Sequence, residues 1–363
     1  MSMKLITRRR VEPLEDYGFF GPDSVAWKVW SYPTSFSLGF IRAVTVEELD
    51  PHLIAAVVDS GGVYARTRTR YDRTLHYFAL VLFGDSRTAT RASNVLVKIH
   101  AKAVGDDPVS GRRYDANDPD SQLWIHMTAW HSILKCYEMY GPGTLTADEE
   151  RRYWEDCAVA AELQTIRVED VPRSREAVNA YFESWRPKVA GSEEAQKMMD
   201  FLLDGIGYVL PVPPRPLRPL HRGLTALHRR AVIATLPRYM RSLAGIHQGP
   251  VTDALVLWPT RLMYGALAAM RRIPSALVTF LTLISPSTVP VVAPYFFGIT
   301  PRDPRTVTPA QARERDEILP PAEEYARFRA LVEQRRAAGA ATEADLGVGP
   351  ELAESRELIG PTA

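Results

Sequence analysis

Apolar residues recur along this chain at steps of three and four, the period of an α-helix with one face turned inward. The pattern is clearest between Arg70 and Gly105. Arg70-Tyr-Asp-Arg73-Thr74 leads into an apolar run through Leu75, Phe78, Ala79, Val81 and Leu82, closed by Gly84-Asp85. Glycine is favoured just past a helix end, and Ser86 can cap a second helix with its hydroxyl. That second helix is expected to run from Ser86 to Val104, with Ala92, Leu96, Ile99, Ala103 and Val104 inward and Asn94, Lys98 and Lys102 outward. His100 stands four residues from both Leu96 and Val104, which assigns it to the apolar side.

Other segments carry their own start signals. Thr45 and Glu48 form a capping box and predict a helix to about Asp59, broken by Gly61-Gly62. Asp118-Pro119 opens a long helix ending at Gly141, with Asp as cap and Pro in the first turn. Thr146 and Glu149 form another capping box, for a helix over 147–164, and Ser174 and Ser192 start two more. Residues 210–220 are proline-dense and read as an extended connector. Residues 221–244 and 252–272 read as amphipathic helices. Thr308-Pro309 caps a charged helix extending to about Ala338, and the residues after 340 have the composition of a disordered tail. The first forty residues, rich in aromatics and proline, read as an irregular arm, and 105–117 as a loop. The expected fold class is therefore all-α. Residues 1–44 form an N-terminal arm, 45–300 the main helical domain, and 301–363 a charged helix with a flexible tail.

One stretch, Ile273 to Pro301, carries no charge and is long enough to raise the question of a membrane span. Pro274, Pro286, Pro290 and Pro294 lie within it and would break the backbone bonding that hydrocarbon demands. It reads instead as a buried or membrane-facing segment, a mouth for a greasy substrate or a peripheral membrane contact.

Composition adds exclusions. The 363 residues are 46% hydrophobic with net charge +1, which does not point to nucleic acid as a partner. The two cysteines, Cys136 and Cys157, are not in metal-ligand spacing and fit a reducing, cytoplasmic setting. Arg8-Arg9-Arg10 is followed by no apolar segment, so no signal peptide is expected. Neither a phosphate-binding glycine loop nor a nucleophile elbow is present, nor an internal repeat.

The candidate chemistry sits on the first helix pair. A histidine on an apolar stripe is either a core residue bonded to a carbonyl or a neutral imidazole positioned as an iron ligand. Arg70, Arg73 and Thr74 share one face of the preceding helix at i, i+3 and i+4; they form either a solvated basic surface or a polar wall able to meet propionates or a distal ligand. His126 lies beside Leu123, Met127 and Trp130 and reads as a structural hydrogen-bonding histidine, with a second ligand or acid/base role as the alternative. His131 has no surrounding pattern.

These segments, taken in order, resemble the latex-clearing protein and MpaB-type oxygenase family. The residues that carry the resemblance are Arg70-x-x-Arg73-Thr74, Phe83-Gly84-Asp85, Ile99-His100 with Gly105, Tyr114-x-Ala116-Asn117-Asp118-Pro119, Trp124-Ile125-His126 and Tyr153-Trp154, spread over about residues 45–185. The resemblance implies a globin-like helical core binding haem b, with His100 as the proximal iron ligand and Arg70 and Thr74 beside the haem. It further implies dioxygen and an apolar, isoprenoid or lipid substrate. Three departures stand out. Latex-clearing proteins have a lysine where Arg73 stands, and arginine is a poor iron ligand. They also place a glutamate on the preceding helix, where Leu53 to Val58 holds no acid and Asp59 is nearest. Ala103 replaces the usual valine. The expectation is a haem b-dependent oxygenase with His126 or Asp59 supplying proton transfer. The alternatives are a haem-binding sensor or carrier without turnover, and a helical lipid-binding protein.

Overall fold

The computed structural model describes residues 6–60, 62–107, 111 and 113–339, without the side chains of 59, 60, 62 and 336. The all-α expectation holds: among these residues the structure has eighteen α-helices, five short 3₁₀ or π segments and one two-stranded antiparallel pair. The amino-terminal half runs α1 (Val25–Trp30), α2 (Phe40–Glu47), α3 (Pro51–Ser60), α4 (Gly62–Ala65), α5 (Thr67–Phe83) and α6 (Ser86–His100). Strands β1 (Val104–Asp106) and β2 (Arg113–Asp115) then lead into α7 (Pro119–Tyr140), α8 (Ala147–Ala161) and α9 (Arg175–Trp185). The remainder is α10 (Glu193–Leu203), α11 (Gly205–Val209), α12 (Arg218–Thr235), α13 (Arg238–Leu243), α14 (Pro250–Ala269), α15 (Pro274–Ile284), α16 (Val289–Phe296), α17 (Pro309–Asp316) and α18 (Pro321–Ala337).

The long helix α7 is the spine. Its Asp118 carboxylate accepts from the N–H groups of Asp120 and Ser121, as the Asp-Pro signal predicts. Fourteen of its residues are buried, Trp124, Met127 and Trp130 among them. α2 packs along α7, and the turn before α2 lies closer still. A Cβ on Gly39 would stand 2.7 Å from Ile133 Cδ1 and 3.0 Å from its Cα, so only glycine allows this approach. The capping boxes at Thr146/Glu149 and Thr308/Gln311 are both formed.

Several boundaries differ from the sequence reading, each for a local reason. Residues 25–30 and 40–44 are helical and largely buried, where the sequence pattern predicts an irregular arm. Thr45 caps nothing: it is fully buried inside α2 and its hydroxyl donates back to Ile41 O (2.6 Å). The next helix starts instead behind Asp50, whose carboxylate accepts from His52 N (3.1 Å). α6 is capped by Asp85, which accepts from Thr88 N (2.9 Å), because the Ser86 hydroxyl is committed to Asp16 (2.5 Å). α6 also ends at His100, four residues early, since Val104 to Asp106 pairs antiparallel with Arg113 to Asp115. Gly105 lies under the Tyr114 ring, where a Cβ would come within 2.5 Å of the hydroxyl. The C-terminal charged helix is two helices, divided by the left-handed Glu317 (φ 54°) and by Pro320-Pro321. α18 returns onto α6 through Phe328 and a Lys98–Glu324 ion pair (3.5 Å). The Gly61 break and the tail after 340 lie outside the described residues.

The uncharged stretch 273–301 is spent mainly on the core. Leu277, Val278, Leu281, Ile284, Val291 and Val292 are buried, and among the described residues no helix is long and apolar enough to cross a membrane. The two cysteines are buried free thiols.

Candidate functional site

α5 and α6 are consecutive helices in contact, and they bring Arg70 close enough to His100 for its charge to act on the imidazole. Arg70, Arg73 and Thr74 occupy one face of α5. Thr74 donates its hydroxyl to Arg70 O (2.9 Å), which leaves the lone pairs of its oxygen for another donor. His100 is the last residue of α6 and is half-buried. Its Nδ1 lies 3.2 Å from Gln122 Nε2 on α7. The same amide nitrogen donates to Ala116 O, which fixes the orientation of the Gln122 amide. Gln122 therefore donates to Nδ1, and the His100 ring carries its proton on Nε2.

The electrostatics of the two helices are coupled through Arg70. Burial, then the charge of Arg70, brings the His100 pKa down to about 4 against a smaller opposing pull from Asp115, so the imidazole is neutral at physiological pH. Arg70 also acts on two acids at the end of α2. Glu47 is pushed up to about 7 by burial, against a hydrogen bond from Thr128 (3.2 Å) and the charge of Arg70. Glu48, 4% exposed, is pushed up to about 8 by burial and by Glu47 beside it. Two adjacent carboxyls this deep do not both ionise at neutral pH, so the pair retains at least part of a proton.

Glu47 and Thr74 open onto a cavity of about 970 Å³ of atom-free space, its mouth included. The walls are otherwise almost entirely apolar: Phe40 and Val44 of α2, Leu75 and Phe78 of α5, Ile125 and Ala129 of α7, and Leu281 and Val292 of the uncharged stretch. The mouth function read into 273–301 is thus a lining function. Of the residues that the sequence singles out, only Thr74 lines this cavity: Arg70, exposed on α5, the half-buried Arg73 and His100 are not among the lining residues, nor is Glu48.

Other candidates fall elsewhere. His126 is 1% exposed and wholly engaged in packing: Nε2 meets Cys157 O (2.8 Å) and Nδ1 meets Gln164 Nε2 (3.2 Å). It does not line the cavity, and burial holds its pKa near 4. The side chain of Asp59 lies outside the described residues. Sequence reasoning missed Glu47 and Glu48, because it took Glu48 as a capping residue at a helix start. The available signal was Asp50-Pro51, which marks a helix beginning there and so makes Glu47-Glu48 the end of the one before. Among the described residues no cluster of three or more His, Cys, Asp or Glu side chains is arranged to hold a metal ion by itself. A single protein ligand to a porphyrin iron needs no such cluster.

Comparison with known families gives one match. The family described as the ER-bound oxygenase mpaB/B'/rubber oxygenase catalytic domain matches residues 27–272. No similar curated protein and no similar solved structure was found.

Proposed function

Since the chain belongs to the mpaB/rubber oxygenase catalytic-domain family, we propose that it is a haem b-dependent oxygenase acting on an apolar substrate, isoprenoid or lipid in character. One observation carries this reading: the charge of Arg70 acts both on a neutral imidazole, His100, and on Glu47, the one carboxyl among the described residues that lines an apolar cavity. The donor set fits a haem. His100 is uncharged, and its Nδ1 is met by Gln122. Ligation through Nε2 would require the ring proton on Nδ1, and Gln122 would then have to turn its amide oxygen to that N–H, giving up its bond to Ala116 O. Arg70 supplies positive charge beside the imidazole for the propionates. Haem, when bound, supplies the site at which dioxygen is taken up and activated.

The chain's own residues do the rest. The cavity excludes water and holds the apolar substrate by burial. Thr74 offers its hydroxyl oxygen at the cavity wall. Glu47 holds or accepts a proton there, since its pKa of about 7 lies near the working pH. This role replaces the one considered for His126, whose ring nitrogens are already occupied. The test is the visible spectrum of the full chain titrated with haemin, with and without dithionite, followed by oxygen uptake with an unsaturated isoprenoid. A saturable Soret band at one haem per chain and substrate-dependent oxygen consumption are expected. Absence of the band overturns haem binding. A band without consumption leaves a carrier or sensor.

The same reading places the enzyme at an anionic membrane surface, which brings apolar substrate to it. The support lies on α14 rather than on 273–301. Val251, Leu255, Trp258 and Leu262 recur at helical spacing and are 65–72% exposed, an apolar stripe of the kind that marks an interaction site. Between 205 and 302 the sequence holds eleven arginines and a single acid, Asp253, which is paired with Arg241 (2.9 Å). An apolar stripe with an arginine excess suits phosphatidylserine-containing bilayers. The protein should sediment with such vesicles at low salt. Trp258→Ser with Leu255→Ser should reduce the bound fraction several-fold. Equal sedimentation with neutral vesicles, or an unaffected double variant, removes the proposal.

A further inference from the structure

We propose that a second cavity, on the far side of the α2–α7 wall from the first, binds an organic monocarboxylate with an apolar body through Arg42. α2 turns Phe40, Ala43, Val44 and Glu47 to the first cavity but Arg42 and Val46 to this one. α7 divides in the same way, with Ile125, Ala129 and Ile133 on one side and His131, Leu134 and Lys135 on the other. The second cavity has about 1550 Å³ of atom-free space, its open side included.

Arg42 is the reason to assign it a ligand. It is 2% exposed, and among the described residues no carboxylate lies within ion-pair reach of it. One terminal nitrogen, Nη1, donates to Ser132 Oγ (2.6 Å) and lies 3.5 Å from His131 Nδ1. Nε is buried and has no partner. A buried cation without a counter-charge is one of the costliest arrangements a fold can hold. The acids lining the cavity are already engaged: Glu138 and Glu150 with Arg175 (2.7 and 2.6 Å) and Glu183 with Arg186 (3.3 Å). His131, which carried no pattern in the sequence, reports the local field. Its pKa is held well below normal by burial and then by Arg42, Lys135 and Arg175.

The class of ligand follows from this inventory. One unpaired guanidinium matches one planar carboxylate, which it can meet with two parallel N–H groups. A dianionic phosphate would gain the same cation but face three lining carboxylates. Leu134, Phe182, Leu236 and Met240 give the remaining wall an apolar surface for the body of the ligand.

The probe is octanoate, titrated calorimetrically into the full chain, with octan-1-ol and octyl phosphate as comparisons. Octanoate should bind, octanol should bind at least ~10-fold more weakly, and Arg42→Gln should weaken octanoate by roughly ten- to a hundred-fold, the range for loss of a charge-assisted hydrogen bond. Equal octanoate affinity in wild type and folded Arg42→Gln, or equal affinity for octanol, overturns the proposal. Tighter binding of octyl phosphate than of octanoate overturns the carboxylate assignment. Should Arg42→Gln not fold, Ala234→Trp, which narrows this cavity from its far wall, decides the matter: loss of octanoate binding supports the site, and undiminished binding removes it. Octanoate held in the first cavity would be indifferent to both substitutions, so this test stands or falls apart from the haem reading.

Discussion

Replacing His100 with alanine should abolish the Soret band of the haemin-titrated protein while leaving its helical circular dichroism intact. His100 is the terminal residue of α6 and only half-buried, so its removal empties no core. Alanine is also the better helix former. Gln122 loses one partner and keeps its bond to Ala116 O. On the proposed reading, haem would lose its single protein ligand to iron. Substitution of a residue that merely orients a ligand typically costs ten- to a hundred-fold in metal affinity, so loss of the ligand itself should exceed ~100-fold. Imidazole added at millimolar concentration should restore part of the band by filling the vacated space. If His100→Ala keeps the wild-type spectrum and His126→Ala loses it, the iron ligand is His126 and the site has been misassigned.

The second large effect concerns Glu47 and Glu48. Their folded pKa values, about 7 and about 8, stand above the ordinary glutamate value of 4.5. The folded protein therefore holds more protons than the unfolded chain between about pH 4.5 and pH 8. Stability contributed by the neutral carboxyls is complete below pH 4.5 and is lost as pH rises through that window. Glutamine mimics the protonated acid at every pH. The double variant Glu47→Gln, Glu48→Gln should flatten the fall in melting temperature from pH 5 to pH 8. At pH 8 it should melt above wild type by on the order of several degrees. A wild-type melting temperature that rises over the same range would mean that both groups are ionised partners of Arg70. Glu47→Gln alone should retain haem but lose turnover by ~10²-fold or more, the usual scale for removing a proton-transfer group. Unchanged turnover would confine Glu47 to a structural role.

The parts of the site that were legible in the sequence are those whose geometry is local. Arg70, Arg73 and Thr74 share a face because the helical period alone puts them there, and Gly84-Asp85 places the next helix, which carries His100, directly after. The caps at Asp118, Thr146 and Thr308 were readable for the same reason, since a side chain bonding a backbone N–H two or three residues on is a short-range event. Thr45 shows where this logic fails. The same Thr-x-x-Glu pattern occurs inside a buried helix, and only the packing of α2 on α7 decides which end of a helix it marks.

By itself, then, the sequence determined the helical class, the family and the histidine–arginine pair on successive helices, because periodicity, caps and short motifs act over a few residues. Tertiary structure decided which polar groups lost their water. It carried Glu47 and Glu48 to Arg70, closed His126 into the core, folded 273–301 around the first cavity and left Arg42 without an acid in the second. Desolvation and pairing are set by whatever chain segments arrive from far away, and no local pattern records them.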